Sequence, residues 1–115
     1  MKYISSCKEE THKLASKLAS ISKPGFVITL KGNLGTGKTT FTQGFAKSMG
    51  IQDNVGSPTF KLISEYKGPQ NWLYHIDAYR LKNAQEFLNI GGEDYLNPKE
   101  GITIIEWPEN IWSLL

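Results

Sequence analysis

Apolar residues follow a helical spacing in the first part of the chain. They recur at intervals of three and four residues, at Leu14, Ala15, Leu18 and Ala19. Ser6 and Glu9 precede them with the spacing of a capping box, in which two side chains satisfy free backbone N–H groups of the first turn. The pattern predicts a helix that ends near Ser20 and packs over a sheet.

Four runs rich in β-branched and aromatic residues have the length of strands, at residues 26–31, 61–66, 72–77 and 101–106. The second and third runs are separated by a short polar loop, so they are expected to pair as a hairpin. The fourth run, GITIIE, is almost continuously apolar, which is typical of a parallel strand buried on both faces.

Helical segments alternate with these strands. One helix is expected to start at Thr40 and to end at Gly50, and a shorter one spans Asn83–Leu88 with Asn83 as its N-cap. The chain then finishes in an apolar patch made by Ile111, Trp112, Leu114 and Leu115. The alternation predicts an α/β fold with a mostly parallel central sheet.

Residues 32–39, GNLGTGKT, fit the phosphate-binding pattern G-x-x-x-x-G-K-[ST] at every fixed position. Glycines let the backbone curl so that successive N–H groups face phosphate oxygens, and a following helix N-terminus favours an anion. The residues expected to contact the nucleotide here are Asn33, Leu34, Gly35, Thr36, Gly37, Lys38, Thr39 and Thr40. A glycine-rich surface turn is the alternative, but a strand before the pattern and a helix after it favour a phosphate loop.

Composition and charge narrow the classes of protein to which the chain can belong. At 115 residues the chain is expected to form a single domain, residues 1–115. Its net charge of +2, without a cluster of like charges, disfavours direct tight binding of nucleic acid. Cys7 is the only cysteine, which excludes an internal disulfide and a cysteine-built zinc site. No signal peptide or membrane-length apolar run is found, so a cytoplasmic protein is expected.

Three further residues are candidates for nucleotide chemistry. Pro58 stiffens the segment that presents Thr59, although a threonine in an ordinary turn explains the same pattern. Asp77 ends a strand, where it fits a magnesium site and a solvent-facing cap equally well. Glu106 ends the most apolar strand, and such an acid suits the shell of a phosphate-bound magnesium ion.

Other residues near these positions have more than one interpretation. His75 is more simply a half-buried strand residue than a catalyst. Arg80 can meet a phosphate, a partner or a nearby carboxylate. Trp107 fits core packing, with stacking beside a nucleotide as the sharper alternative.

Four segments together closely resemble the TsaE family, also called YjeE. They are GNLGTGKTT at 32–40, SPTF at 57–60, HIDAYR at 75–80 and IEWPE at 105–109. Members are small bacterial P-loop ATPases that help to make threonylcarbamoyladenosine beside the anticodon of tRNA. The resemblance implies a P-loop NTPase-like three-layer sandwich. This chain is C-terminally short relative to the family, whose members usually continue past the E-W-P segment with additional strands.

The resemblance also implies roles for site residues. Lys38 would bind the β and γ phosphates and Thr39 would be a magnesium ligand. Thr59 would act as the nucleotide-sensing switch, Asp77 as a catalytic or magnesium-shell carboxylate, and Glu106 as the acid of the second phosphate-site strand.

The same resemblance places Trp107 by the nucleotide and implies ATP and Mg²⁺ as cofactors, with the TsaB and TsaD proteins as partners and tRNA reached only through them. Two other functions remain open: a nucleotide-gated binding module whose hydrolysis is incidental, and a small-molecule P-loop kinase. The kinase is disfavoured because the chain offers no second substrate domain and one conspicuous arginine near the site, Arg80. A guanine-specific switch is disfavoured because no N-K-x-D segment is present.

Overall fold

A computed structural model describes residues 8–30, 35–53, 55, 62–78, 81–106 and 108–115. Their elements, in chain order, are helix α1 (Lys8–Ile21), strand β1 (Val27–Leu30), helix α2 (Gly35–Ser48), strands β2 (Ile63–Lys67) and β3 (Trp72–Asp77), helix α3 (Ala84–Asn89) and strand β4 (Gly101–Glu106). Short 3-10 segments, Gly92–Leu96 and Pro108–Leu114, flank β4. The predicted Ser6 cap and Cys7 lie outside the described residues.

The described strands form a sheet in the order β1-β4-β3-β2. β4 lies inside it and pairs in parallel with both β1 and β3, whereas β2 pairs antiparallel with β3. This confirms the mostly parallel sheet, the hairpin of β2 and β3, and the predicted bounds of β3 and β4. β2 starts two residues later than the predicted run, at Ile63, and continues through Lys67.

Helices cover both faces of the sheet, as expected for a three-layer α/β fold. On one face, α1 and α2 pack on the sheet through a cluster that includes Ala15, Phe41, Phe45, Leu73, Ile102 and Ile104. On the other face, α3 and the last 3-10 segment close a second cluster that includes Ile76, Leu81, Phe87, Ile105 and Ile111. β4 contributes to both clusters and is buried along its whole length, as its continuous apolar run predicted.

Helix α2 begins at Gly35, so the predicted start at Thr40 is wrong by five residues. The phosphate-binding pattern predicted a loop at Gly35 and Gly37, and glycine in a helix costs about 1 kcal/mol relative to alanine. Packing outweighs that cost, because Phe41 and Phe45 anchor the helix in the core and most helical stability in proteins comes from such contacts.

The predicted helix near Asn83 is confirmed. Asn83 is its N-cap, and the side-chain Oδ1 accepts a hydrogen bond of 2.9 Å from the backbone N–H of Glu86. The predicted apolar patch near the last residue is split between two environments. Ile111 is fully buried, whereas Trp112 and Leu115 are about half exposed, at 54% and 48%. Within the part of the chain that the structure describes, no helix has the length and apolar character needed to cross a membrane.

A small aromatic cluster joins the sheet to the segment before β4. Tyr95 packs edge-on against Tyr74, with ring centroids 5.2 Å apart. Its hydroxyl donates a hydrogen bond of 2.6 Å to Oε1 of Glu65 on β2. The hydrogen bond to this carboxylate, with burial as the second cause, raises the pKa of Tyr95 to about 12. The protonated phenol is therefore the form that the folded protein stabilises.

We expect this tyrosine to make the protein less stable in strong alkali. Because the folded-state pKa lies above the ordinary value of 10.0, the contribution is complete below pH 10 and is lost as pH rises towards 12. Urea unfolding should show a steeper fall of the free energy of unfolding across this range in the native chain than in Tyr95→Phe. Tyr66→Phe, on β2, is the control for loss of one tyrosine hydroxyl. Equal slopes for the native chain and Tyr95→Phe would contradict the assignment.

Candidate functional site

Three parallel strands end side by side at one edge of the sheet. Leu30, the last residue of β1, is in register with Glu106, the last residue of β4. Glu106 is in turn in register with Asp77, the last residue of β3. Adjacent strands lie about 4.8 Å apart, so this register brings two carboxylates next to the residue from which the phosphate-binding pattern departs. Ligand sites of open α/β sheets are found at this edge.

Both carboxylates also lie on the face that α2 covers. Residues directly opposite each other in neighbouring strands share a face, so Asp77 and Glu106 lie on the side of Leu73 and Ile102. Those two residues pack in the cluster that contains Phe45 of α2. The amino-terminal turn of α2 and the two acids are therefore on one side of the sheet.

The first turn of α2 has the general features of an anion-binding site. It begins at Gly35 and contains no acidic residue. The first four N–H groups of a helix have no partner within the helix, and the helix dipole adds partial positive charge there. An anion such as a phosphate group satisfies both. Thr40, in the following turn, is half-buried.

Glu106 is a buried acid with spare hydrogen-bonding capacity. Its residue is 3% exposed, and within the described residues Oε1 has no hydrogen-bond partner. Oε2 lies 3.3 Å from Nε2 of His75. The same nitrogen makes no hydrogen bond, so the two groups are close but not bonded.

A carboxylate oxygen left unpaired in the interior is costly unless a cation or a donor meets it. Mg²⁺ binds proteins through one or two carboxylates, phosphate oxygens and waters. Glu106, with Asp77 beside it, therefore offers carboxylate oxygens of the kind that Mg²⁺ binds.

Asp77 is held in place by the neighbouring hairpin strand. Its backbone N–H donates a hydrogen bond of 3.0 Å to the carbonyl of Leu62, just before β2 begins. Its side chain is half-buried. This contact holds the end of β3 against the segment before β2, and parallel pairing with β4 holds it on the other side, so backbone pairing sets the position of Asp77 relative to Glu106.

Several predicted site residues lie outside the described part of the chain. These are Asn33, Leu34, Thr59, Arg80 and Trp107. For Gly35, Thr36, Gly37, Lys38 and Thr39 the structure describes the helical backbone and not the side chains. The described residues thus place Asp77 beside Glu106, with α2 on the same side of the sheet, and the other predicted contacts stay predictions.

Sequence reasoning missed the position of His75, which was expected to be half-buried. The structure buries it completely and places it next to Glu106. The alternation of β3 was the available signal, because it puts residues 75 and 77 on the same face as Leu73. The register of β3 against β4, which places His75 close to Glu106, could not be derived from the sequence.

Comparison with known families gives a match over nearly the whole chain. The family model described as "Threonylcarbamoyl adenosine biosynthesis protein TsaE" matches residues 5–115. The tRNA threonylcarbamoyladenosine biosynthesis protein TsaE of Bacillus subtilis (strain 168) is 46% identical over 99 residues, which cover 86% of this chain and 61% of that protein.

Two other TsaE proteins give similar matches. The protein of Rickettsia felis is 43% identical over 109 residues, covering 94% of this chain and 63% of its own length. That of Treponema pallidum (strain Nichols) is 36% identical over 115 residues, covering 100% and 84%. The chain therefore spans a little over three fifths of the length of the Bacillus and Rickettsia proteins.

A solved structure has the same architecture. The crystal structure of YdiB from Bacillus subtilis superposes with a TM-score of 0.78 at 39% sequence identity. The match covers 100% of this chain and 69% of YdiB.

Proposed function

This chain belongs to the TsaE family, and from that premise we propose that residues 1–115 form one ATPase domain that supports threonylcarbamoyladenosine modification of tRNA beside the anticodon. The observation that carries the proposal is the register of Leu30, Glu106 and Asp77 at one sheet edge. It places two acids beside the strand that leads into the phosphate-binding pattern, on the side of the sheet that α2 covers, and this arrangement supports a role in phosphoryl transfer.

The chain's own groups divide the work of holding the nucleotide. Backbone N–H groups of residues 33–40 bind the phosphates, and Lys38 adds a positive charge at the β and γ phosphates. Thr59 senses whether the γ phosphate is present. Trp107 lies beside the nucleotide. These roles follow from the sequence pattern and the family.

Three residues would hold Mg²⁺: the hydroxyl of Thr39 and the carboxylates of Glu106 and Asp77, directly or through water. When bound, the ion neutralises charge that develops on the phosphate oxygens during transfer. Asp77 or Glu106 also orients the attacking water, because each can accept a proton or a hydrogen bond from it. Burial of Glu106 strengthens its electrostatic interaction with the ion, since the local dielectric is low.

The reaction on tRNA belongs to other proteins in this proposal. We infer that the chain binds TsaB and TsaD and reaches tRNA through them, in the cytoplasm. A net charge of +2 without a cluster of like charges supports indirect rather than direct contact with tRNA, because tight binding to nucleic acid needs many phosphate contacts from lysine and arginine.

ATP turnover with and without TsaB and TsaD tests the proposal. We expect slow hydrolysis by the chain alone, a clear rise when both partners are added, and loss of turnover in Lys38→Ala. Lys47→Ala is the matched control, because Lys47 is an exposed lysine in the last turn of the same helix. Equal turnover in the two variants would refute the assigned site.

Assays on the same chain and its variants distinguish the two alternative functions. If Asp77→Asn stops hydrolysis but leaves partner binding and tRNA modification intact, the chain is a nucleotide-gated binding module. If labelled phosphate passes from ATP to a metabolite, it is a small-molecule kinase.

A further inference from the structure

His75 is the least satisfied polar side chain of the described core. It is completely buried, and neither Nδ1 nor Nε2 makes a hydrogen bond within the described residues. An imidazole placed this way costs free energy relative to an apolar side chain of similar size, because its hydration is lost without replacement. Packing alone therefore does not account for a histidine at this position.

The polar group nearest to the ring is the site acid. Nε2 lies 3.3 Å from Oε2 of Glu106. In the sheet His75 lies opposite Ile104. This pair is two residues before the Asp77–Glu106 pair on each strand and on the same face. Leu73 and Ile104, its neighbours on this face, are apolar, and the carboxylate of Glu106 is the polar group that the structure places against the ring.

The two oxygens of Glu106 are in different situations. Oε2 faces the imidazole, whereas Oε1 has no hydrogen-bond partner in the described part of the chain. A neutral imidazole carries one N–H donor, and a small rotation would turn Nε2–H onto Oε2. Such a bond would fix the carboxylate rotamer and leave Oε1 free for a ligand.

We propose that His75 is a positioning residue for Glu106. Its Nε2–H binds Oε2 and so leaves Oε1 oriented towards the magnesium ion. The inference rests on the proposed function, in which Glu106 acts on the metal-bound nucleotide. Partners of this kind restrict the orientation of an acid at a metal site, and their loss typically lowers metal affinity or activity about 10–100-fold.

Two substitutions at position 75 test this role. His75→Leu removes both ring nitrogens, and His75→Gln can place an amide N–H near the position of Nε2. For His75→Leu we expect kcat for ATP hydrolysis, with TsaB and TsaD present, to fall by roughly tenfold or more, with KM for ATP changed much less. Affinity for Mn²⁺ in the presence of ADP, followed by electron paramagnetic resonance, should fall by a similar factor. His75→Gln should restore part of both.

A matched control separates positioning from packing. Ile104→Val alters the buried residue that stands opposite His75 and has no polar group. It should lower the thermal midpoint but leave kcat and Mn²⁺ affinity close to those of the native chain. If Ile104→Val lowers kcat as much as His75→Leu does, or if His75→Leu changes neither kcat nor Mn²⁺ affinity, the positioning role is overturned.

The double variant distinguishes failure of this inference from failure of the proposed function. If His75 acts through Glu106, His75→Leu adds little to the loss already caused by Glu106→Gln. Losses that multiply would show that His75 acts independently, which overturns the inference and leaves the role of Glu106 intact. If Glu106→Gln itself changes neither turnover nor Mn²⁺ affinity, the proposed function fails first.

Discussion

Glu106→Gln is expected to reduce ATP turnover by roughly a hundredfold or more, because it removes the buried charge beside the phosphate site while keeping the side chain's size. Glu106 is 3% exposed, so water cannot replace the lost carboxylate without rearrangement of the core. The charge also contributes more in a low-dielectric interior than at the surface. Nucleotide binding should be weakened less, since the phosphate-binding turn of α2 is unchanged.

The same substitution should leave the protein folded and no less stable without nucleotide. The native carboxylate is desolvated and one of its oxygens lacks a partner among the described residues, so neutralising it removes a cost of burial. Thermal unfolding, with turnover measured on the same preparation, checks both parts. Glu100→Gln, an exposed acid immediately before β4, is the control. Turnover within about threefold of the native rate would contradict the role of Glu106, since loss of a catalytic proton acceptor costs far more.

Phe45→Ala is expected to destabilise the protein by about 3–5 kcal/mol, a large part of the 5–15 kcal/mol typical of a whole domain. Phe45 is fully buried and packs beside Phe41, with ring centroids 6.0 Å apart. Removing the ring leaves a cavity between α2 and the sheet, and the neighbouring side chains can fill it only in part. Urea unfolding measures the change.

Because the proposed phosphate site lies at the start of α2, Mg-ATP should recover part of this loss if the ligand binds only the folded state. Ile21→Ala is the control, since Ile21 is a 54% exposed apolar residue at the end of α1 and should change the free energy of unfolding by less than about 0.5 kcal/mol. A loss below about 1 kcal/mol for Phe45→Ala would mean that α2 is not anchored as the structure places it.

Strands with buried residues on both faces could be identified from the sequence. GITIIE and WLYHID gave β4 and β3 with correct bounds, because short runs rich in β-branched and aromatic residues between polar turns favour a strand over a helix. Their pairing was not available in the same way. The hydrophobic pattern of a strand indicates which face is buried. The position of β4 between β1 and β3 depends on contacts between residues far apart in the sequence.

The site was predicted in part for the same reason. The phosphate-binding pattern is local and could be recognised directly, whereas its helical start at Gly35 depends on core packing through Phe45. Asp77 and Glu106 could be proposed separately as strand-end acids, and only the parallel register shows that they are neighbours. The burial of His75 beside Glu106 required both the register and the covering helix.

The central place of β4 bears on how the protein is made. Val27 pairs with Thr103, and Trp72 pairs with Gly101, so neither parallel pairing can form until the ribosome has released the segment near residue 106. At about 5–20 residues per second, β1 waits for several seconds of translation with its partner missing. During that interval the β2–β3 hairpin and the α1–α2 pair lack β4, the strand that contributes to both apolar clusters. Newly synthesised chains are therefore expected to need chaperone protection until β4 emerges.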